Sequence, residues 1–303
     1  MSRIYEALKR AESEQEILRQ PPEPPAEPLS VSLRPNNSKD VSTIQRMLDN
    51  VPRRLWRPDI SQLPTLEAHG PGVEQFRSLR SRLHQISDSN HLRSILISSG
   101  LPSEGKSFVS ANLAISLARS TNTKVLLIDA DLRRAALCKL MGCDTGPGLA
   151  EYLAGTVELK HILQRDGVAA AGDAGQLPNI PNLTFIPAGL SRGNAAELAG
   201  NASFQELMAT LSPHFDWIII DSSPVLTVSD AVNFARICDA VLLVARGDVT
   251  PFDAAQRAYA EFRNSRVLGF VLNAVKGGNS DGSSYGYDGV SATTAPPERR
   301  YQA

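Results

Sequence analysis

Six short apolar runs constrain the fold more than any other feature of this sequence. The runs are R-S-I-L-I-S-S, K-V-L-L-I-D, L-T-F-I-P-A, W-I-I-I-D, A-V-L-L-V-A and V-L-G-F-V-L-N, and helix-like segments separate them between Leu66 and Val275. Continuous apolar runs of this length are typical of strands that are buried on both faces. Strands that alternate with helices predict an α/β domain whose mostly parallel sheet carries helices on both faces.

The segment after the first run indicates a phosphate-binding loop. It reads Gly100-Leu-Pro-Ser-Glu-Gly105-Lys106-Ser107 and leads from a predicted strand into a predicted helix, which is the setting of a Walker A motif in a P-loop NTPase-type fold. Glycines let the main-chain N–H groups face the phosphates, and Lys106 places its charge on the β- and γ-phosphates. The Ser107 hydroxyl is a ligand for Mg²⁺. The residues that we expect to bind ATP are Gly100, Ser103, Glu104, Gly105, Lys106, Ser107 and Phe108.

Three aspartates stand where predicted strands end. Asp129 ends V-L-L-I-D, Asp131 follows two residues later, and Asp221 ends W-I-I-I-D. Parallel strands bring their carboxyl ends to one edge of a sheet, where ligands bind in open α/β folds. Carboxylates at that edge hold Mg²⁺ or accept a proton, although a single aspartate there is also a common helix cap. We expect catalytic roles for Lys106 and the three aspartates, and metal binding by Ser107, Asp129 and Asp221.

The rest of the chain divides by composition. Residues 1–20 carry apolar side chains at helical spacing and predict an amphipathic helix. The run P-P-E-P-P-A-E-P opens a Pro-rich linker that we assign to residues 21–64. The nucleotide-binding domain is assigned to residues 65–276, and the Gly/Ser-rich residues 277–303 are expected to form a flexible tail.

Charge and cysteine content argue against several classes of protein. The chain has 31 Lys and Arg against 32 Asp and Glu, whereas a dedicated nucleic-acid binder usually carries a basic excess. No apolar run approaches the ~18 residues that cross a bilayer. Charged residues occupy the N-terminus, where a signal peptide has its apolar core. The 3 cysteines have no C-x-x-C spacing and favour reduced thiols, so we predict a cytoplasmic location.

The motifs between about Val73 and Val275 resemble those of the bacterial tyrosine kinases (BY-kinases) of capsule and exopolysaccharide export, in their cytoplasmic CpsD/CapB form. Residues 98–107 are similar to the Walker A motif of that family, residues 126–133 to its Walker A′ motif and residues 218–224 to its Walker B motif. The resemblance implies an ATP- and Mg²⁺-dependent protein-tyrosine autokinase that regulates capsular or exopolysaccharide synthesis and export.

The resemblance also implies partners and modification sites. The spacing Glu74-x-x-Arg77-x-x-Arg80 is similar to the helix by which family members assemble into ring-shaped homo-oligomers, although Glu74 and Arg77 could instead pair within one helix. A transmembrane activator of the chain-length-regulator type would hold the kinase at the periphery of the inner membrane. The substrates of the kinase would be protein tyrosines. The expected autophosphorylation sites are Tyr285, Tyr287 and Tyr301.

Two other functions are compatible with these residues. A switch ATPase of the MinD/ParA type would transfer the phosphoryl group to water. Those relatives carry a lysine directly after the first loop glycine, where this chain has Leu101. A non-catalytic, ATP-gated scaffold of polysaccharide export is the second alternative, and the small number of tail tyrosines favours it.

Overall fold

The chain divides between Asn50 and Val51 into two compact units. In the first unit the described segment is mainly one helix, α1 (Ser38–Asp49), which lies within the predicted linker. The predicted helix over residues 1–20 lies outside the described residues, as does the predicted tail. This computed structural model describes residues 38–90, 92–167, 180, 182–190, 195–200 and 202–275.

The second unit is built on an eight-stranded sheet with the order β1-β4-β5-β3-β6-β2-β7-β8. Neighbouring strands run parallel except for β4 and β5, which are antiparallel. Every residue of β2, β3 and β6 is buried, so both faces of the central sheet are covered. The predicted mostly parallel α/β fold is confirmed. The strands are β1 (Arg53–Arg54), β2 (Ser94–Ser99), β3 (Val125–Asp129), β4 (Gln164–Asp166), β5 (Leu183–Ile186), β6 (Trp217–Asp221), β7 (Ala240–Arg246) and β8 (Val267–Asn273).

Helices cover this sheet, and α3 (Lys106–Ala118), which follows β2, is buried along nearly its whole length. Its small and apolar residues let it pack closely on the strands, while Phe108 contacts Phe76 of α2 (Pro71–Asn90) with ring centroids 5.9 Å apart. Within the described ranges, no helix is both long and apolar enough to span a membrane. The helices of this unit are α2 (Pro71–Asn90), α3 (Lys106–Ala118), α4 (Ala136–Met141), α5 (Leu149–Leu153), α6 (Leu159–Ile162), α7 (Ala195–Ala199), α8 (Ala202–Leu211), α9 (Asp230–Ala235) and α10 (Phe252–Glu261).

The folded domain begins earlier than the sequence predicted. Trp56 and Leu63 are buried in the main hydrophobic core, and the indole Nε1 of Trp56 donates a hydrogen bond to Oε1 of Gln164 at 3.3 Å. The assignment of residues 21–64 to a linker is therefore wrong from Val51 onward. Prolines and charged residues surround the two large apolar side chains, so no regular apolar spacing identified them.

The strand order brings the predicted chemical groups to one edge of the sheet. β6 lies between β2 and β3, and all three strands are parallel. Asp129 of β3 is therefore directly opposite Asp221 of β6, and Asp221 also pairs in register with Ile97 of β2. The loop after β2 and the aspartates at the ends of β3 and β6 consequently lie around a single site.

Candidate active site

The loop between β2 and α3 has a backbone shape that needs glycine at its last position. Ser103 and Gly105 both adopt left-handed backbone angles, with φ of 65° and 95°. A Cβ atom on Gly105 would lie 1.9 Å from the amide nitrogen of Asn273, so any other residue would collide. That Asn273 amide donates a hydrogen bond to the main-chain oxygen of Glu104 at 3.0 Å. The end of β8 thus fixes the loop before any nucleotide binds.

Two residues predicted to bind the nucleotide use their side chains for other contacts. The buried Glu104 carboxylate accepts a hydrogen bond from the main-chain N–H of Leu101 at 2.8 Å and another, short one from the Thr250 hydroxyl. The Phe108 ring packs on Phe76. The Glu104 side chain therefore holds the loop in shape.

Lys106 and Asp131 form a buried ion pair at the start of α3. The ammonium Nζ of Lys106 lies 3.0 Å from Oδ2 of Asp131, and the two side chains are only 10% and 2% exposed. The other oxygen of Asp131, Oδ1, has no hydrogen-bond partner among the residues that the structure describes. Asp131 therefore keeps one free acceptor atom directly beside the lysine that we expect to contact phosphate.

Asp221 is fully buried beneath the same loop. Its Oδ1 accepts a hydrogen bond from the Ser110 hydroxyl at 3.1 Å, and the nearby Ser107 side chain lowers the pKa of the carboxylate. Burial raises the pKa of Asp221 to about 6, and the nearby charge of Lys106 counteracts part of that rise. Oδ2 has no hydrogen-bond partner within the described part of the chain. A free carboxylate oxygen beside a serine hydroxyl is a suitable pair of donors for a hard cation.

Asp129 differs from the other two aspartates because both of its oxygens are in use. Oδ1 accepts the main-chain N–H of Asp131 and Oδ2 accepts that of Leu137, each at 3.2 Å. Burial raises the pKa of Asp129 well above its usual value, and the negative charges of Asp221 and Asp131 raise it further. Asp129 is therefore held firmly by the main chain, each oxygen keeps one further acceptor site, and its role as a Mg²⁺ ligand stays a prediction.

These oxygen donors fit Mg²⁺ only together with a nucleotide. Across the described ranges, no three His, Cys, Asp or Glu side chains are grouped so that they could hold a metal by themselves. Mg²⁺ is commonly held by one or two protein oxygens together with substrate phosphates and water. Ser107 and Asp221 supply donors of that kind next to the phosphate loop.

The three residues predicted for assembly have different environments. Arg77 and Glu74 form an exposed ion pair of 2.5 Å within α2. Arg80 instead donates a hydrogen bond to the main-chain oxygen of Ser116 in α3 at 2.5 Å, and burial lowers its pKa. Glu74 and Arg77 therefore remain accessible to a partner, whereas Arg80 stabilises its own domain. The predicted acceptors Tyr285, Tyr287 and Tyr301 lie outside the described residues.

The sequence did not identify several residues that shape this site. Ser110 lies one helical turn after Lys106, and Thr250 and Asn273 reach the loop from chain segments more than a hundred residues away. Of these three, only Asn273 could have been predicted from sequence, because it ends the predicted strand V-L-G-F-V-L-N at the same edge of the sheet. The loop, the lysine and the carboxylates together define a P-loop nucleotide-binding protein.

Comparisons with known proteins assign the chain to a family. The sequence model of an AAA domain matches residues 94–253. Over 206 residues the chain is 35% identical to the tyrosine-protein kinase ptk of Acinetobacter johnsonii, covering 67% of this chain and 26% of that protein. It is 32% identical to the tyrosine-protein kinase YwqD of Bacillus subtilis strain 168, covering 72% of this chain and 86% of YwqD. The chain belongs to the family of bacterial tyrosine-protein kinases.

A solved structure supports this assignment. The kinase domain of the Escherichia coli tyrosine kinase ETK superposes with a TM-score of 0.61 at 32% identity, over 71% of this chain and 80% of that domain. These relatives differ in length: the chain spans about a quarter of ptk but most of YwqD. The region matched by the AAA-domain model contains the phosphate loop and all three aspartates of the site.

Proposed function

We propose that this chain is an ATP-dependent protein-tyrosine autokinase that regulates capsular or exopolysaccharide synthesis and export. The observation that carries the proposal is the buried Lys106–Asp131 pair, which lies beside Asp221 beneath a pre-shaped phosphate loop. Kinases of this architecture act mainly by positioning their substrates and neutralising phosphate charge, and this site offers groups for both tasks. The names of the related kinases favour this function over a MinD/ParA-like ATPase.

The phosphate loop and Lys106 would bind the nucleotide. The loop N–H groups hold the phosphates, and Lys106 shifts its charge from Asp131 toward the β- and γ-phosphates as ATP enters. Ser107 and Asp221 would hold Mg²⁺, which when bound neutralises charge on the transferring phosphoryl group. Release of Asp131 from Lys106 would leave both of its oxygens available at the site.

Asp131 is better placed than Asp129 to orient the tyrosine hydroxyl and accept its proton. Asp129 already binds two main-chain N–H groups, whereas Oδ1 of Asp131 has no hydrogen-bond partner among the described residues. A phenol has a pKa near 10, so its proton should leave late, as its oxygen bonds to phosphorus. In this proposal Asp129 supports the loop that carries Asp131.

The tail that would supply the acceptor tyrosines begins close to the phosphate loop. Asn273, which ends β8, contacts Glu104 of that loop, and residues 277–303 follow soon after it. Tyr285 and Tyr287 come 12 and 14 residues after Asn273. An extended chain spans at most ~3.3–3.6 Å per residue, so these tyrosines have a reach of up to about 40–50 Å from Asn273, and in this proposal they enter the site of an adjacent subunit.

Assembly and recruitment complete the proposal. The exposed Glu74 and Arg77 side chains would contact a neighbouring copy in a ring-shaped homo-oligomer. A transmembrane activator of the chain-length-regulator type would bring the kinase to the inner membrane, and other protein tyrosines would be further substrates. No nucleic-acid partner is proposed, because the charge of the chain is nearly balanced.

Transfer of labelled phosphate tests the function. Purified full-length chain is incubated with Mg²⁺ and ATP labelled at the γ-phosphate, and the protein is hydrolysed to identify the phosphoamino acid. We expect phosphotyrosine in the wild type and none in Lys106→Met, while Lys139→Met, which changes an exposed lysine, serves as the matched control. Equal phosphotyrosine in the Lys106 variant would contradict the proposal. Nucleotide binding without any labelled protein would support the scaffold alternative.

A further inference from the structure

An ion pair outside the reacting groups joins the two loops that flank the site. The Arg133 guanidinium donates from Nε to Oδ2 of Asp230 at 2.9 Å and from Nη2 to Oδ1 at 3.4 Å. The Arg133 side chain is 43% exposed, whereas that of Asp230 is only 2% exposed. A two-point contact between a planar guanidinium and a carboxylate fixes orientation as well as distance. Bidentate geometry is the case in which a partly exposed ion pair contributes to holding a structure together.

The positions of the two residues show what the pair connects. Arg133 lies two residues after Asp131, in a turn. The main-chain N–H of Ala135 closes this turn by donating to the main-chain oxygen of Asp131 at 3.0 Å. Asp230 lies nine residues after Asp221 and begins α9. β3 and β6 are neighbours in the sheet, so the pair spans the two loops that leave the sheet beside each other. It ties the segment that carries Asp131 to the segment that follows Asp221.

Asp131 needs such a support, because few contacts hold its carboxylate. Oδ2 faces Lys106, and Oδ1 has no hydrogen-bond partner in the described part of the chain. When a nucleotide draws Lys106 away, no side chain among the described residues would hydrogen-bond to the Asp131 carboxylate, and the charge of Arg133 would still attract it. The position of Asp131 then depends on the backbone turn of residues 131–135, which Arg133 anchors to Asp230.

We infer that Arg133 and Asp230 are positioning residues that hold Asp131 at the correct distance from the acceptor hydroxyl. This inference rests on the proposed kinase function for its catalytic consequence. Neither side chain touches the reacting atoms; each acts through the loop that it anchors. The guanidinium fork, rather than charge alone, performs this task, because a lysine ammonium cannot make two parallel contacts with one carboxylate.

Steady-state kinetics separates positioning from nucleotide binding. In Arg133→Ala we expect kcat for tyrosine phosphorylation to fall about tenfold to a hundredfold, since small misplacement of a reacting group costs this much. The KM for ATP should stay within about twofold, because the phosphate loop and Lys106 bind ATP independently. Asp230→Asn should reproduce the effect, and the double variant should be no slower than either single variant. Arg133→Lys should recover only part of kcat.

The control variant is Arg134→Ala, which removes the adjacent, exposed arginine and should leave kcat unchanged. Thermal unfolding of every variant is recorded, and kinetics is measured well below the lowest midpoint. An Arg133→Ala variant with wild-type kcat would overturn the inference. An increase in the KM for ATP at unchanged kcat would also overturn it, because Arg133 would then belong to nucleotide binding.

Hydrogen–deuterium exchange tests the inference without relying on kinase activity. The amides of residues 130–136 should exchange faster in Arg133→Ala than in the wild type or in Arg134→Ala, since the anchor of that loop is lost. Unchanged exchange would show that the ion pair does not hold the loop. If the wild type made no phosphotyrosine but this loop still loosened in the variant, the proposed function would fail while the anchoring role remained supported.

Discussion

Replacing Lys106 with Met should unfold the nucleotide-free protein more easily, in addition to abolishing phosphoryl transfer. In the free protein the ammonium of Lys106 is the partner of Asp131, at 3.0 Å, and both side chains are almost completely buried. Methionine has a similar length and packs well, but it carries no charge. The substitution therefore leaves the Asp131 carboxylate in the interior without its counter-charge, beside the carboxylate of Asp221.

The size of the effect follows from this burial. Removing one partner of a buried ion pair costs about 3–5 kcal/mol, because the remaining charge is neither solvated nor paired. The 10% exposure of Lys106 places the expected loss near the lower value, about 3 kcal/mol. For a domain of this size each kcal/mol shifts the melting temperature by about 2–4 °C. The midpoint should therefore fall by about 6–12 °C.

Differential scanning fluorimetry without nucleotide measures this shift. The double variant Lys106→Met, Asp131→Asn removes the unpaired charge while keeping the shape of the side chain, so it should recover most of the lost stability. Lys139→Met, at an exposed position, should melt like the wild type. A Lys106→Met variant that melts within about 2 °C of wild type, which corresponds to less than 1 kcal/mol, would refute the reasoning.

Three further predictions concern assembly, pH and the tail. Glu74→Ala with Arg77→Ala should lower the oligomer mass in light scattering without lowering the melting temperature, because both side chains are exposed. An unchanged mass would show that the two residues form only a surface ion pair. The pKa of Asp221 is raised to about 6, so the folded protein binds a proton that the unfolded chain has already lost, and nucleotide-free protein should be less stable at pH 7.5 than at pH 5. Chemical denaturation should show a smaller difference between these pH values for Asp221→Asn. Mg²⁺-dependent ATP binding should weaken below about pH 6 for the same reason, as calorimetry can measure. Tyr285→Phe with Tyr287→Phe should remove most incorporated phosphate, and label that maps outside residues 277–303 would contradict this.

Much of the sheet could be predicted from sequence, because burial on both faces leaves a direct mark. β2, β3 and β6 are continuous apolar runs, as strands without a solvent face must be. β1 and β4 escaped detection because Arg53–Arg54 and Gln164–Asp166 are short and polar. β1 lies at the edge of the sheet, whereas the polar side chains of β4 are buried and hydrogen-bonded, as Gln164 is to Trp56. The early start of the domain was missed for a related reason, since only tertiary packing reveals that Trp56 belongs to the core.

The site was predictable where its chemistry is local in sequence. Lys106 and the aspartates each lie in a short motif that follows or ends a strand, and parallel strands bring these motifs to one edge of the sheet. The contacts that hold these motifs were not predictable, because they join distant segments: Asp230 to Arg133, and Asn273 to the phosphate loop. Helical spacing placed Arg80 on one face with Glu74, but spacing could not show that its guanidinium reaches a carbonyl of α3.

The balance of products formed from ATP tests the central claim most directly. Purified wild-type chain is incubated with Mg²⁺ and ATP, and ADP, inorganic phosphate and phosphotyrosine are quantified in the same reaction. Tyrosine transfer predicts that early ADP formation is matched by phosphotyrosine on the chain, with little inorganic phosphate, and that Lys106→Met produces neither ADP nor phosphotyrosine. If ADP is matched by inorganic phosphate and no phosphotyrosine appears, the acceptor is water and the chain is an ATPase.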